Sequence, residues 1–310
     1  MQLEISVPGK AFLAGEYLVL RQPLAAILAV EPRFKLTWKK NRNSVTAPKS
    51  PFHPASPAGL LWQKAVGPHL SKWLGYEAHF FDPHQGQGGW GGSTAEYLLV
   101  WALGQHLRGE SPVVTVRLAE LIREQYRREF RDHNPEGELP SGADLAAQLL
   151  GQILWMNSNL QPAAWNWPQV GFYLAKTPFK IETHQHLAEL ASFSVTDLAK
   201  AFQQIEAAVS HRRPEEFLDG IRTWSRVQGA LGLVAPETQE ILNTLASLGP
   251  FVAAKGCGAL GADVIAVFEA KGPGHAEGSV AKMLDQSNCR VMATENSLSN
   301  GLDMRMVSSE

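Results

Sequence analysis

The chain has 310 residues, enough for two modest domains or one large one. Hydrophobic residues make up 45% and charged residues 19%, which excludes wholesale disorder and allows a packed core. Lys and Arg total 28 against 30 Asp and Glu, and the net charge of −2 excludes a global field that would draw the protein onto nucleic acid or membrane.

The first residues show no basic segment followed by an apolar run, so no signal peptide is expected. No apolar stretch approaches the ~20 residues that span a bilayer. Cys257 and Cys289 are too few for a disulfide scaffold, fit a reducing cytoplasm, and lie in no cluster with zinc-ligand spacing. The expectation is a cytoplasmic protein with a small-molecule partner and no nucleic-acid or membrane partner. A homodimer is left open.

Along the chain, residues 3–7 read as a strand, Pro8-Gly9-Lys10 as an interruption, and residues 11–20 as strand-like again. Residues 24–30 are apolar, and 33–38 alternate as a strand does. Residues 41–58 read as a loop, 58–74 as a helix and 76–81 as a strand. After a loop over 82–92, residues 93–107 have helical composition. Residues 118–130 form a second helix candidate, with Arg123, Arg127 and Arg128 near one side. A polar turn over 133–140 leads into Ser141-Gly-Ala-Asp144 and a helix from Leu145. Residues 159–168 break the pattern and mark a candidate domain junction.

The second half begins with a strand over 170–175. Helical segments follow at 184–190, 195–209, 214–229 and 236–248. Then come a strand (251–254), a Gly/Ala loop (256–262), a strand (264–268), a helix (278–287) and a last strand near 290–294. No internal repeat is visible. Helices and strands mix without strict alternation, which points to α+β domains rather than a doubly wound sheet.

The loop His84-Gln-Gly-Gln-Gly-Gly-Trp-Gly-Gly-Ser-Thr94 sits between a strand and a helix. Glycines let backbone N–H groups approach a phosphate, and a helix N-terminus adds a favourable dipole. Ser93 and Thr94 suit an N-cap and could also meet a phosphate oxygen or metal ion. The loop by itself fits a serine-capped surface loop equally well. A Walker A loop is excluded, because no Gly-Lys-Ser/Thr opens a helix. Gly86, Gly88 and Gly91 match G-x-G-x-x-G, but the next strand candidate, 113–116, is followed by Arg117 rather than an acidic ribose ligand. A nicotinamide-dependent oxidoreductase using Gly86–Gly91 is therefore a poorly supported alternative.

Pro8-Gly-Lys-Ala-Phe-Leu-Ala-Gly-Glu-Tyr17 resembles the P-G-K-x-x-L-x-G-E-H/Y motif of the GHMP family of small-molecule kinases. Gly89-Trp-Gly-Gly-Ser-Thr-Ala95 is similar to that family's G-L-G-S-S-A-A loop. Ala254-Lys-Gly-Cys-Gly-Ala-Leu-Gly-Ala-Asp263 resembles the A-K-x-S-G-A-G-G-G-D loop of phosphomevalonate kinases. Ser141–Asp144 looks like the S-G-x-D element of the mevalonate branch, and Lys176-Thr-Pro-Phe-Lys-Ile-Glu-Thr183 like a turn that follows a strand there.

The resemblance implies a two-domain α+β fold. Residues 1–165 would form a ribosomal protein S5 domain 2-like, nucleotide-binding domain, and 166–310 a ferredoxin-like domain, with the site in the cleft between them. It implies ATP and Mg²⁺, and phosphorylation of mevalonate or 5-phosphomevalonate in isoprenoid precursor synthesis. Asp144 would face the acceptor hydroxyl, and Lys10 would keep Asp144 ionised and neutralise the transferring phosphoryl group. Gly89, Gly91, Gly92, Ser93 and Thr94 would hold the nucleotide, with Gly86 and Gly88 as approach only. Ser93 and an acidic residue of the preceding helix, Glu129 or Asp132, would hold Mg²⁺. Glu16, Tyr17, Ser141, Gly142, Thr183, Gly258 and Ala259 would line the acceptor pocket, Glu16 as support for its floor.

Several residues also have plainer readings. Asp144 would serve as a dipole-stabilised first-turn residue. Lys255 and Asp263 would form a pair fixing a tight loop, and most of the arginines a solvated face. Trp155, Trp165 and Trp167 read as packing. Gly92 and Cys257 stand where the family has serines, Trp90 where it has leucine, and Leu260 and Ala262 where it has glycines. These departures motivate a second reading: a GHMP-fold protein that binds ligand without catalysis.

Overall fold

The computed structural model describes residues 2–157, 159–179, 194–272 and 278–308. Thr183 and the helix expected over 184–190 lie outside them.

Strand β1 (Gln2–Ala14) runs straight through Pro8-Gly9-Lys10 instead of breaking there. It pairs antiparallel with β2 (Ala25–Lys40), and the register shifts between Pro8, opposite Arg33, and Gly9, opposite Val30. A bulge at this point accommodates a proline that cannot donate to the ladder. The other edge of β1 is covered only from Gln2 to Ser6, by the last strand β10 (Asp303–Val307). Beyond Ser6 that edge is open to another partner, and the Lys10 N–H donates to the carbonyl of Trp90 at 3.1 Å. The bulge and the early end of β10 together bring the glycine loop onto the first motif.

The sheet is completed by β3 (Tyr76–Phe81), β4 (Ile153–Met156) and β5 (Leu160–Ala163), in the order β10-β1-β2-β4-β5 with β3 also on β2. Helices α1 (Leu18–Arg21) and α2 (Pro57–Ala65) precede β3. Helices α3 (Gly92–Leu107) and α5 (Ala143–Leu150) pack on β1 and β2, with α4 (Val116–His133) against α5. Thr94–Gly104 of α3 are buried apart from Glu96, so this helix is apolar nearly all round, as a helix inside a core must be.

A second, antiparallel sheet has the order β7-β8-β6-β9, from β6 (Val170–Lys176), β7 (Val252–Cys257), β8 (Val264–Ala270) and β9 (Arg290–Thr294). Helices α6 (Thr196–Ser210), α7 (Pro214–Ala230), α8 (Pro236–Ala246) and α9 (Ser279–Gln286) accompany it. The class is α+β, as expected. No described helix is long and apolar enough to cross a membrane.

Strands β4, β5 and β10 are additions to the expected list. β4 and β5 are four residues each, and β5 tolerates Pro162 because it is an edge strand. β10 buries none of its five residues fully and is pinned by Arg305 on Glu4. The first and last described strands therefore lie side by side in one sheet.

Candidate active site

Four segments meet at the open edge of β1. Lys10 Nζ lies 3.0 Å from Asp144 Oδ2, the lysine 6% and the aspartate 30% exposed. The ammonium also sits 4.9 Å from the centroid of the Phe12 ring. Asp144 occupies the first turn of α5, which starts from Gly142 at a left-handed φ of 69°. A Cβ at Gly142 would lie 2.6 Å from Arg123 Cγ, so only glycine fits. Arg123 Nε donates to the Ser141 carbonyl at 2.7 Å, and Ser141 Oγ accepts from the Ala143 N–H at 3.2 Å. Arg123 is thus no solvated residue; it buttresses the loop that presents Asp144.

The glycine loop enters α3 through Gly91, φ 81°, which takes the N-cap position expected for Ser93 or Thr94. A Cβ there would stand 2.8 Å from Lys10 Cγ. Thr94 is buried, and its hydroxyl bonds the Gly91 carbonyl at 3.1 Å and Gln148 Oε1 at 2.6 Å. Gly88 is more than approach: a Cβ would lie 2.1 Å from Asp263 Oδ2, and one on Gly89 2.8 Å from Val264 Cγ2. A Cβ on Gly86 would meet nothing within 4 Å, and the Gly86 N–H donates to Asp82 Oδ2 at 2.6 Å. Gly92 has an ordinary φ, and a Cβ there would meet only Phe34, at 3.8 Å, so the absence of a serine is not imposed by sterics.

Trp90 points into the core. It is fully buried and stacks on His84, centroids 4.6 Å apart at 6°, and the Phe34 ring is tilted against the same imidazole at 5.2 Å. Burial lowers the His84 pKa to about 4, so the ring is neutral under the loop.

Ser93 is exposed in the first turn of α3. Tyr126 is buried, and its ring packs edge-on against Tyr97 at 4.9 Å. Burial, then the Asp144 charge, raises the Tyr126 pKa. Glu129 is engaged elsewhere: it accepts from Tyr97 OH and Gln125 Nε2, each at 3.1 Å, with Lys64 Nζ at 3.9 Å. Asp132 is exposed near the end of α4.

The third loop closes the floor. Lys255 is fully buried and pairs with Glu16, not with Asp263; its Nζ also reaches the Phe12 carbonyl at 3.3 Å and Cys257 Sγ at 3.4 Å. Burial raises the Glu16 carboxyl against the pull of that ammonium. Tyr17 is buried too, and its hydroxyl accepts the Leu260 N–H at 2.7 Å. Leu260 adopts φ 52°, so the loop keeps a glycine-like backbone with a leucine in it. That conformation costs about 1–2 kcal/mol, which the Tyr17 bond helps to offset. Gly258 (φ 81°) comes back to back with Gly89, and Ala259 opens the turn that follows. Thr177 of the Lys176 segment bonds the Ala262 carbonyl.

Sequence reasoning missed Gln148. It is wholly buried, and its Nε2 donates to the carbonyls of Pro8 at 3.0 Å and Gly91 at 3.1 Å while Oε1 accepts from Thr94. One side chain thereby joins the first motif, the glycine loop and the helix carrying Asp144. The available signal was its place one turn after Asp144, a polar residue on an otherwise apolar helix.

Glu96 follows Ser93 by one turn of α3. Burial, then the Asp82 carboxylate, raises its pKa from 4.5 to about 6. The folded chain binds this proton more tightly than the unfolded one, so its contribution is full below 4.5 and is lost as pH rises through about 6. Glu96→Gln is expected to raise the melting temperature at neutral pH and leave it unchanged in acid, modestly because the group is half-exposed. Superimposable melting-versus-pH curves for the two proteins would contradict this.

Among known proteins, no family model matches the chain. No curated protein matches it either. Solved structures do match. Methanococcus jannaschii mevalonate kinase superposes with a TM-score of 0.73 at 14% identity, covering 96% of this chain and 98% of that one. Streptococcus pneumoniae phosphomevalonate kinase, in complex with phosphomevalonate and AMPPNP, gives 0.72 at 12% identity over 94% and 98%. Lactococcus lactis galactokinase complexed with galactose gives 0.73 at 11% over 97% and 95%. At such identities the likeness is one of architecture: the chain has the GHMP kinase fold over nearly its whole length.

Proposed function

We propose that this chain transfers the γ-phosphoryl group of ATP to the hydroxyl of a small acidic alcohol, with 5-phosphomevalonate or mevalonate as the acceptor. The observation that carries this reading is the Lys10–Asp144 pair, 3.0 Å apart where the first motif, the glycine loop and the S-G-x-D element converge. The acceptor oxygen would form a bond to the γ-phosphorus as the bond to the ADP oxygen breaks, and its proton would pass to the Asp144 carboxylate. Lys10 would offset the negative charge gathered on the transferring group. The N–H groups of the loop from Gly89 to Ser93, at the start of α3, would receive phosphate oxygens. ATP would enter as its Mg²⁺ complex. The form of the first and third loops favours the phosphomevalonate end of this class.

A coupled ADP-release assay with mevalonate and 5-phosphomevalonate tests the reading. Turnover with one of them is the expected result, and turnover with neither overturns the acceptor assignment. An ATP-induced rise in melting temperature is expected in parallel. Its absence overturns nucleotide binding itself.

A further inference from the structure

We propose that Gln148 is a positioning residue for the transfer reaction: its buried carboxamide sets the glycine loop against the Lys10–Asp144 pair. The proposal rests on the kinase reading for what the loop and the pair hold. Gln148 lies four residues after Asp144 in α5, so the two side chains leave the same face of one helix. Nε2 donates to the carbonyls of Pro8 at 3.0 Å and Gly91 at 3.1 Å, and Oε1 accepts from Thr94 Oγ1 at 2.6 Å. Turned over, the amide would set its oxygen against two carbonyls, so its orientation is fixed by its partners. A glutamate in its place would bring an acceptor to those carbonyls, and a methionine would bring no donor.

Each carbonyl held in this way orients a peptide unit, which is planar and trans, so that its N–H points opposite to its carbonyl. The Gly91 carbonyl accepts from Gln148 and, at 3.0 Å, from the Ala95 N–H in the first turn of α3. The Gly92 N–H therefore points away from the helix, to where a phosphate oxygen of the nucleotide would lie. The Pro8 carbonyl is two residues before Lys10, whose own N–H donates to the Trp90 carbonyl at 3.1 Å. The loop is thus tied to β1 twice, once directly and once through Gln148. Because Asp144 rides on the helix that carries Gln148, the same amide sets the distance between the phosphate-facing loop and the group that faces the acceptor. The packing leaves no slack: a Cβ on Gly91 would lie 2.8 Å from Lys10 Cγ and 3.0 Å from Gln148 Nε2.

The sequence supplies its own probe, because residues 88–89 and 91–92 are the only Gly-Gly pairs in the chain. Protein labelled with glycine carrying ¹³C at the carbonyl and ¹⁵N at the amide therefore gives two peaks in a carbonyl-to-amide correlation spectrum, and Gly92→Ala identifies one by removing it. That peak reads the Gly91 carbonyl and the Gly92 N–H together. In the wild type its amide is expected to shift when ATP and Mg²⁺ are added. Gln148→Met keeps the length of the side chain and removes both donors. It is expected to shift the Gly91 carbonyl without nucleotide, to shrink the ATP-induced amide shift, and to lower kcat about a hundredfold at temperatures well below its melting point, the scale of a small misplacement of reacting groups. Should it fail to fold, judged by its circular dichroism melt, Thr94→Val, which takes the hydroxyl from Oε1, is expected to move the same peak and lower kcat in the same direction. If neither acceptor turns over, the two spectral shifts decide alone. A variant that is merely less stable, with the wild-type ATP response and kcat, overturns the proposal. So does a wild type whose melting temperature rises with ATP while the Gly92 amide stays put. No ATP effect on the melting temperature overturns the kinase reading and this proposal with it.

Discussion

Asp144→Asn is expected to lower ATP turnover about a thousandfold, the scale of a lost positioned proton acceptor. Asparagine has the same shape and still offers Lys10 an oxygen, but it carries no charge and takes no proton. Lys10 stays buried at 6% exposure, with the Phe12 face still beneath it. Asp144 is 30% exposed, so water reaches the altered pair and the stability cost should be only about 1–2 kcal/mol. Three measurements separate the roles: kcat, the melting temperature, and the ATP-induced melting shift. The shift should survive, because Asp144 faces the acceptor rather than the phosphates. If the melting temperature collapses along with activity, Asp144 is a structural anchor for α5. Should kcat hold, the proton acceptor lies elsewhere.

What the sequence made legible was the set of short loops whose backbone shape depends on glycine. Gly91 and Gly142 sit at left-handed φ, so their positions are forced by local sterics, whereas the close approach of Gly88 to Asp263 is a long-range contact that reading it as mere approach missed. Lys10 and Asp144 followed from the resemblance carried by the motifs that contain them. The side chains that join these loops from a distance were much harder to see. Gln148 is 140 residues from the Pro8 carbonyl it binds. The Lys255–Glu16 pair spans 239 residues, and local reading gave Lys255 to the nearer Asp263. Trp90 illustrates the converse. A departure from the family's leucine suggested an altered ligand contact, yet the indole is buried against His84 and the departure is absorbed by the core.

Lys255→Met is expected to destabilise the chain by about 3–5 kcal/mol at neutral pH, because it strands the Glu16 carboxylate in the interior. The ammonium is fully buried and Glu16 is 4% exposed. Glu16 Oε2 already has no hydrogen-bond partner, so the carboxylate depends chiefly on the Lys255 ammonium. The pair also links the end of β1 to β7, one strand from each sheet, so its loss should loosen the third loop beneath the site. The pH dependence has a definite sign. Burial already raises the Glu16 pKa above 4.5, and without Lys255 only a backbone hydrogen bond and the charge of Lys10 oppose that effect. The folded variant then binds a proton that the unfolded chain has released, so its deficit should be smallest near and below pH 4.5 and grow as pH rises through the new folded value. Adding Glu16→Gln removes the stranded charge, and the double variant should be more stable than Lys255→Met at neutral pH. Urea unfolding of the variants at acidic and neutral pH measures both effects. A Lys255→Met deficit that is independent of pH and unrelieved by Glu16→Gln would show that Lys255 contributes packing, not charge, to the joint between the sheets.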